Sequence, residues 1–300
     1  MKVLISGGSG LVGGALTGAL RADGHTVRYL VRPGGKAAPG DVQWNPLSAL
    51  VDVPAMEGFD AVVNLNGASI ADGRWTSKRK TILRGSRVDS TRVLVDALSH
   101  LKQPPRVFVC ASATGYYGNR GDEVLTETSG YGNDFLAMLC RAWEGEAARA
   151  SSSGIRTVIA RFGIVLSAEG GALSRMLTPF RLGAGGRLGS GRQWMSWIAL
   201  EDAVKVLRAA IDDARWNGAL NLVSPEPVRN SDFTRVLASV LHRPAICPAP
   251  AFALRLALGE MADALLLSSQ RVLPECLRQY GYAFRYENLE AALHAVLTKP

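Results

Sequence analysis

From its first residues the chain alternates short β-branched runs with longer stretches in which apolar residues return every three or four positions. Val3 to Ser6, Thr26 to Val31, Val42 to Trp44, Ala61 to Leu65, Val107 to Ala111 and Thr157 to Arg161 read as strands. Leu11 to Ala22, Lys78 to Leu101 and Phe135 to Ala150 read as helices. Ala61-Val62-Val63 and Val107-Phe108-Val109 are apolar without alternation, as strands covered on both faces must be. The rhythm predicts βαβ units on a Rossmann-type, doubly wound parallel sheet, an α/β fold.

After Leu166 the pattern changes to glycine-rich loops and helices, expected to lie across the C-terminal edge of the sheet, where open α/β folds bind substrates. Phe233, Val236, Leu237, Val240 and Leu241 repeat at helical spacing behind Asn230-Ser231-Asp232, which reads as a cap. Leu289, Leu293 and Val296 mark a closing helix, and the segment from Cys247 to Pro300 shows no strand-helix alternation. The expected organisation is a Rossmann domain over 1–166, to which later segments return, and a smaller C-terminal α/β lobe over 167–300 that includes the segment 247–300.

Composition narrows the classes. At 300 residues, 47% of them hydrophobic and 20% charged, the chain can bury a sizeable core. No apolar run approaches the ~18 residues that span a bilayer, and Met1-Lys2 leads straight into a strand with no signal-peptide pattern, so a cytoplasmic protein without membrane contact is expected. The net charge of +8 invites an anionic partner, but the arginines are scattered and no nucleic-acid motif accompanies them. No nucleic acid is expected. Four cysteines without C-x-x-C spacing suit reduced thiols, and the four histidines are isolated, so no metal site is expected.

The chemistry concentrates at Gly7-Gly8-Ser9-Gly10-Leu11-Val12-Gly13, a G-x-x-G-x-x-G turn between the first strand and the first helix. Gly7 permits the tight turn, Gly10 lets the backbone approach a pyrophosphate, and Gly13 lets helix pack on strand, while the helix N-terminus attracts phosphate. The next strand ends in Val31-Arg32 rather than in the acidic residue that would hold the 2′-hydroxyl of NAD. An arginine pairs with the extra phosphate of NADP, so NADP(H) is favoured over NAD(H). Leu65, Asn66 and Gly67 form a loop suited to passing the cofactor, and Arg87 on the following helix is placed to face its phosphates. Lys78-Arg79-Lys80 reads as a solvated helix face.

With this fingerprint, followed by Asn64-Leu65-Asn66-Gly67, Ser112-Ala113-Thr114-Gly115-Tyr116-Tyr117-Gly118 and Trp197-Ile198-Ala199-Leu200-Glu201-Asp202, the chain resembles the extended short-chain dehydrogenase/reductases over nearly its whole length. Trp44-Asn45-Pro46, Phe135-Leu136-Ala137, Trp143-Glu144 and Gly189 to Trp197 make it resemble more narrowly the atypical, epimerase-like branch, labelled NAD-dependent epimerase/dehydratase or sugar-nucleotide epimerase-like. The resemblance implies a cofactor set of Gly7, Ser9, Gly10, Leu11, Val12, Gly13, Arg32, Leu65, Asn66, Gly67 and Arg87, with Val165 reaching the nicotinamide side. It also implies a C-terminal lobe over the substrate cleft, and it makes Lys78 to Leu101 a candidate surface for a homodimer.

Active members of that superfamily use a Tyr-x-x-x-Lys pair, in which lysine lowers the tyrosine pKa. No such pair follows Tyr116: four residues after Tyr131 stands Phe135, and the helix from Phe135 to Glu146 has no lysine. Ala113 falls at the usual serine position, so Ser112, Thr114, Tyr116 and Tyr117 are the candidate catalytic residues, with Arg161 as a nearby cation. Trp143, Trp194 and Trp197 either line a pocket or pack in the core. Gly183 to Gly191 is either a phosphate-binding lid or a mobile connector. Glu201-Asp202 reads as an acidic helix start, and Cys140 as a buried small residue. Two functions follow: an oxidoreductase or epimerase-like enzyme for a small polar substrate such as a nucleotide-sugar, or a catalytically silent NADP(H)-binding redox sensor.

Overall fold

Strands that are apolar on both faces need cover on both, and the fold supplies it. A computed structural model of the chain describes residues 1–298. The main sheet has eight strands: β1 Lys2–Ser6, β2 Thr26–Val31, β3 Val42–Asn45, β4 Leu50–Val51, β5 Ala61–Asn64, β6 Val107–Ala113, β7 Arg156–Phe162 and β8 Gly218–Leu222. They lie in the order β8-β7-β6-β5-β1-β2-β3-β4, and all neighbours run parallel except β3 with β4. The helices used below are α1 Leu11–Ala22, α2 Ser77–Arg84, α3 Ser90–Ser99, α4 Phe135–Ala148, α5 Gly171–Arg181, α6 Leu200–Asp212, α7 Asn230–Val240, α8 Ala251–Leu258 and α9 Leu289–Thr298.

The pleat of β1 sends Val3 and Ile5 to one side of the sheet and Leu4 to the other. Val3 and Ile5 join Leu16 and Leu20 of α1 and Val206 and Leu207 of α6, whereas Leu4 joins Leu94 of α3 and Leu139 and Trp143 of α4. From β1 the chain builds outward through β2 and β3 on one side, and from β5 through β6 to β8 on the other. The connection therefore reverses direction between β1 and β5, leaving a crevice at the carboxyl ends of those strands, where such sheets bind ligands.

The structure departs from the sequence pattern in three places. The single helix expected over Lys78 to Leu101 is interrupted at Gly85–Asp89 by a wider π turn, where Gly85 offers the poorest helix propensity of the segment. Its basic face is only partly solvated: Lys80 pairs with Glu260 at 2.5 Å, and Arg79 donates to the Ser69 carbonyl. The cap of α7 is Arg229 rather than the Asn230 group. Asn230 is the first helical residue, and its Oδ1 accepts from the Leu188 amide at 2.8 Å, which ties the glycine-rich loop to the helix. Finally β8, with no clear alternation in its sequence, returns from the second half of the chain to the edge of the sheet beside β7.

The smaller lobe has its own core, in which Leu173, Leu177 and Phe180 of α5 meet Phe233 and Leu237 of α7 and Leu289 and Leu293 of α9 around Trp197. Short two-stranded pairings, Trp194–Met195 with Val228–Arg229 and Trp197–Ala199 with Ile164–Leu166, complete it. Asp202, in the first turn of α6 as expected, is fully buried. It accepts from the Tyr282 hydroxyl at 3.0 Å and from the amides of Arg285 and Tyr286 at 2.8 and 3.0 Å. Trp216 stacks on Tyr280 at 5.2 Å nearby, so the C-terminal segment is clasped to α6 and the sheet. Among the described residues no helix is long and apolar enough to cross a membrane.

Replacing Asp202 by alanine leaves two part-buried amides without their acceptor and the Tyr282 phenol with only the backbone carbonyl of residue 202, at 3.2 Å. We expect a loss of about 3 kcal/mol in urea unfolding, and earlier proteolysis between residues 280 and 288 than elsewhere. An unchanged unfolding midpoint would contradict the clasp.

Candidate functional site

The glycine turn after β1 lies at the crevice. Gly7 has φ +73°, and a Cβ there would stand 2.5 Å from the Leu65 carbonyl oxygen; a Cβ on Gly13 would stand 2.3 Å from the Gly7 oxygen. Both positions require glycine: the first because the β1 and β5 loops touch, the second because α1 packs on the turn. Gly10 is the cap residue of α1, and among the described residues no side chain bonds the amides of its first turn. Ser9 and Gly10 are exposed and Leu11 and Val12 half-buried. Anion-attracting N–H groups therefore open toward the crevice. Arg32 follows β2, exposed and without an ion pair among the described residues.

The loop after β5 is anchored from below. Buried Asn64 accepts from Ser6 Oγ at 2.6 Å and donates to Thr91 Oγ1 at 2.8 Å, which also accepts from the Trp143 indole at 2.9 Å. Asn66 donates to the Ser86 carbonyl at 3.0 Å and to Ser90 Oγ at 3.1 Å, and so holds Leu65 to Gly67 against the π turn. Arg87 projects from that turn. Its guanidinium donates to the Ala68 carbonyl at 3.0 Å, packs 5.5 Å from the Trp143 ring centre, and has no carboxylate partner among the described residues. Burial pushes its pKa below the usual arginine value, though an arginine remains cationic in a protein.

Beyond the ends of β6 and β7 a cavity of about 1090 Å³ continues toward the smaller lobe. Arg87, Ser112, Thr114, Cys140 and Trp143 line its sheet side, and α5, α7 and the loop at Gly185-Gly186 its lobe side. Backbone bonds from Cys247 to Gly185 at 3.0 Å and from Gly189 to Ala249 at 2.8 Å pin that loop, so it is a tethered wall rather than a free connector. Trp143 and Trp194 line the cavity, whereas Trp197 is fully buried in the lobe core. Cys140 is buried as expected, and burial pushes its thiol up to about 12. Val165 is half-buried in the strand Ile164–Leu166, paired with Ile198.

Underneath the cavity runs a buried polar network. Arg161 of β7 grips Glu144 of α4 through two hydrogen bonds, Nε to Oε1 at 2.9 Å and Nη2 to Oε2 at 2.8 Å. The Ser112 hydroxyl donates to the same Oε1 at 2.6 Å. Arg161 also donates to the Tyr117 hydroxyl at 2.9 Å, which donates to Asn221 Oδ1 at 2.7 Å; Asn221 in turn donates to the Leu273 carbonyl at 3.0 Å. The Tyr116 ring lies edge-on to Tyr117 and over Arg161, whose guanidinium carbon is 3.7 Å from the ring centre.

Of the four candidate catalytic residues, the fold thus brings Ser112 and Thr114 to the cavity wall and turns Tyr116 and Tyr117 into the network behind it. Thr114 is buried and its hydroxyl has no hydrogen-bond partner among the described residues. Glu144 and Asn221 were not among the candidates. A signal for Glu144 was present: an acid on the apolar face of α4 and an arginine, Arg161, inside an apolar strand each demand an opposite charge, whereas nothing local marks Asn221.

Burial is the main cause that pushes the Tyr117 phenol up to about 12, against the opposing pull of Arg161. A raised folded pKa contributes stability that is complete below the unfolded value near 10 and disappears as pH rises toward 12. Wild-type protein should therefore lose about 2–3 kcal/mol more than Tyr117→Phe between pH 9.5 and 12. Urea midpoints measured along that range check this, and parallel pH profiles would refute it.

Comparison with known proteins gives this geometry a family. The model of the NAD dependent epimerase/dehydratase family matches residues 3–222, and that of a domain of unknown function (DUF1731) matches 249–296. An epimerase family protein of Mycobacterium bovis is 45% identical over 298 residues, 99% of this chain and 98% of its own. The crystal structure of the human epimerase family protein SDR39U1 with NADPH matches with a TM-score of 0.91 and 34% identity, covering 99% of each chain. A nucleoside-diphosphate sugar epimerase from Corynebacterium glutamicum matches with a TM-score of 0.81 and 36% identity, over 99% of this chain and 58% of that one. The chain belongs to the NAD dependent epimerase/dehydratase family.

Proposed function

We propose that the chain binds NADP(H), in preference to NAD(H), along the crevice, and acts as an oxidoreductase or epimerase-like enzyme on a small molecule held in the adjoining cavity. The observation that carries the reading is the uncapped N-terminus of α1 behind a turn that only glycine can make, with Arg32 rather than a carboxylate at the end of β2. A side chain at Gly7 or Gly13 would push the turn off the β5 loop or off α1 and so displace the amides that a pyrophosphate would meet. The human relative crystallised with NADPH agrees with this reading.

In this assignment Ser9 to Gly13 bind the pyrophosphate and Arg32 the 2′-phosphate. Leu65, Asn66 and Gly67 border the cofactor, Arg87 adds a second cation, and Val165 reaches the nicotinamide side. The cofactor supplies hydride transfer when bound. Thr114, with its free hydroxyl, orients the substrate, while Ser112 is held by Glu144 and serves to position the wall. Tyr117 keeps its proton at neutral pH and shields Arg161 together with Tyr116. Four unpaired cysteines suit work in a reducing cytoplasm.

Calorimetric titration of cofactor-free protein should show NADPH bound at least about tenfold more tightly than NADH, and Arg32→Ala should remove most of that preference, a charge-assisted pair being worth about 1.5–3 kcal/mol. Equal affinities would sink the cofactor assignment. A second reading, a redox sensor that binds without turnover, is supported by the raised pKa and buried bonding of Tyr117 and by the absence of lysine from α4. NADPH oxidation across a carbonyl panel separates the two: the enzyme reading expects turnover that Thr114→Val reduces by roughly tenfold in kcat/KM. Tight NADPH binding with no oxidation of any member would favour the sensor.

A further inference from the structure

The cavity wall carries little charge. Arg87 and Arg175 are its only ionised side chains among the described residues; no aspartate, glutamate, lysine or histidine lines it. Arg175 is paired with Asp72 at 2.6 Å and donates to the Ala71 carbonyl at 2.9 Å. Arg87 belongs, on the reading above, to the cofactor.

Most polar side chains of the wall are also engaged. Ser112 donates to Glu144, and Ser196 Oγ donates to the Gln270 carbonyl at 2.8 Å and accepts from the Val272 amide at 2.9 Å. Asn230 is bonded to the Leu188 amide and to Met195 Sδ, and the indoles of Trp143 and Trp194 donate to Thr91 and Asp122. What remains facing the space is largely apolar, with Leu136, Phe162, Met176, Phe180, Leu188 and Phe233 on several sides. Outside, the segments that frame the lobe side present Leu182, Ile246, Phe252 and Leu256 to solvent.

We propose that this cavity takes an apolar, uncharged substrate bearing a single carbonyl or hydroxyl group, rather than a nucleotide-sugar or another strongly polar molecule. The assignment rests on the cofactor reading for the role of Arg87 and replaces the small polar substrate expected from the sequence. A diphosphate entering here would lose its hydration with no cation left free of the cofactor or of Asp72 to receive it, and the several hydroxyls of a sugar would outnumber the unbonded wall hydroxyls, Thr114 and Thr234. An aliphatic or aromatic body gains with every methylene it removes from water. Its one polar group can pair with a buried wall hydroxyl that has no hydrogen-bond partner among the described residues, Thr114 or Thr234.

The test is titration calorimetry of the full chain, with and without saturating NADPH, using octan-2-one and UDP-glucose as probes. Octan-2-one should bind at least about tenfold more tightly than UDP-glucose. Met176→Glu, which puts a carboxylate on the half-buried wall of α5, should weaken the ketone by a similar factor, with thermal melting to show that the variant is folded. The ligand comparison on the unaltered chain does not depend on that variant. UDP-glucose binding as tightly as the ketone, or no ketone binding in either form, overturns the proposal. Ketone binding by a chain that ignores NADPH supports the apolar cavity and removes the cofactor reading; NADPH binding without the ketone does the reverse.

Discussion

An arginine near the end of a buried strand can be accommodated only if something answers its charge, and Arg161 is answered by Glu144. Neither group would survive burial alone, and removing one partner from such a pair costs about 3–5 kcal/mol because the other is left uncompensated. The pair therefore dictates where α4 sits on β7. Ser112 is drawn in from β6 to the same carboxylate, Tyr117 from the turn after β6 to the guanidinium, and Asn221 from β8 to Tyr117. The carboxyl ends of three neighbouring strands, one helix and the C-terminal segment through Leu273 meet in one hydrogen-bonded knot. It forms the floor on which the cavity stands.

This knot also explains the absence of the usual tyrosine-lysine chemistry in physical terms. A tyrosine becomes a useful acid near neutral pH when a cation lowers its pKa in a site open to substrate. Here Tyr117 has its cation, Arg161, but burial outweighs that attraction and the hydroxyl donates inward to Asn221. Tyr116 covers the guanidinium with its ring. The residues that resemble a catalytic motif thus hold the floor together, and the wall above them offers Thr114. The neighbouring crevice differs: the first-turn amides of α1 donate to no side chain among the described residues, and Arg32 is exposed. Arg87 lines the cavity and packs beside Gly67 of the loop after β5.

Much of this was legible along the chain. The strand and helix periodicities marked β1, β2, β5, β6, β7, α1 and α4 to within two residues, because each is a local pattern of burial that the side chains themselves encode. Gly7 and Gly13 were legible for a similar reason: the turn between strand and helix needs residues without a Cβ wherever it is found. Arg32 could be singled out because the second strand ends beside the first in any such sheet.

What lay beyond the sequence depended on partners far apart in it. The return of β8 to the sheet, the clasp of Asp202 on residues 282 to 286, and the joining of Arg161 to Glu144 and, through Tyr117, to Asn221 all arise from contacts between separate segments of the chain. A charge within an apolar run announces that a partner must exist, since burial without one is too costly, but not which residue it is. Local sequence thus determined the elements and the glycine turn between β1 and α1; only the tertiary structure decided which polar groups were consumed in holding the fold and which were left to face open space, because hydrogen-bond satisfaction is a property of the packed neighbourhood and not of the chain.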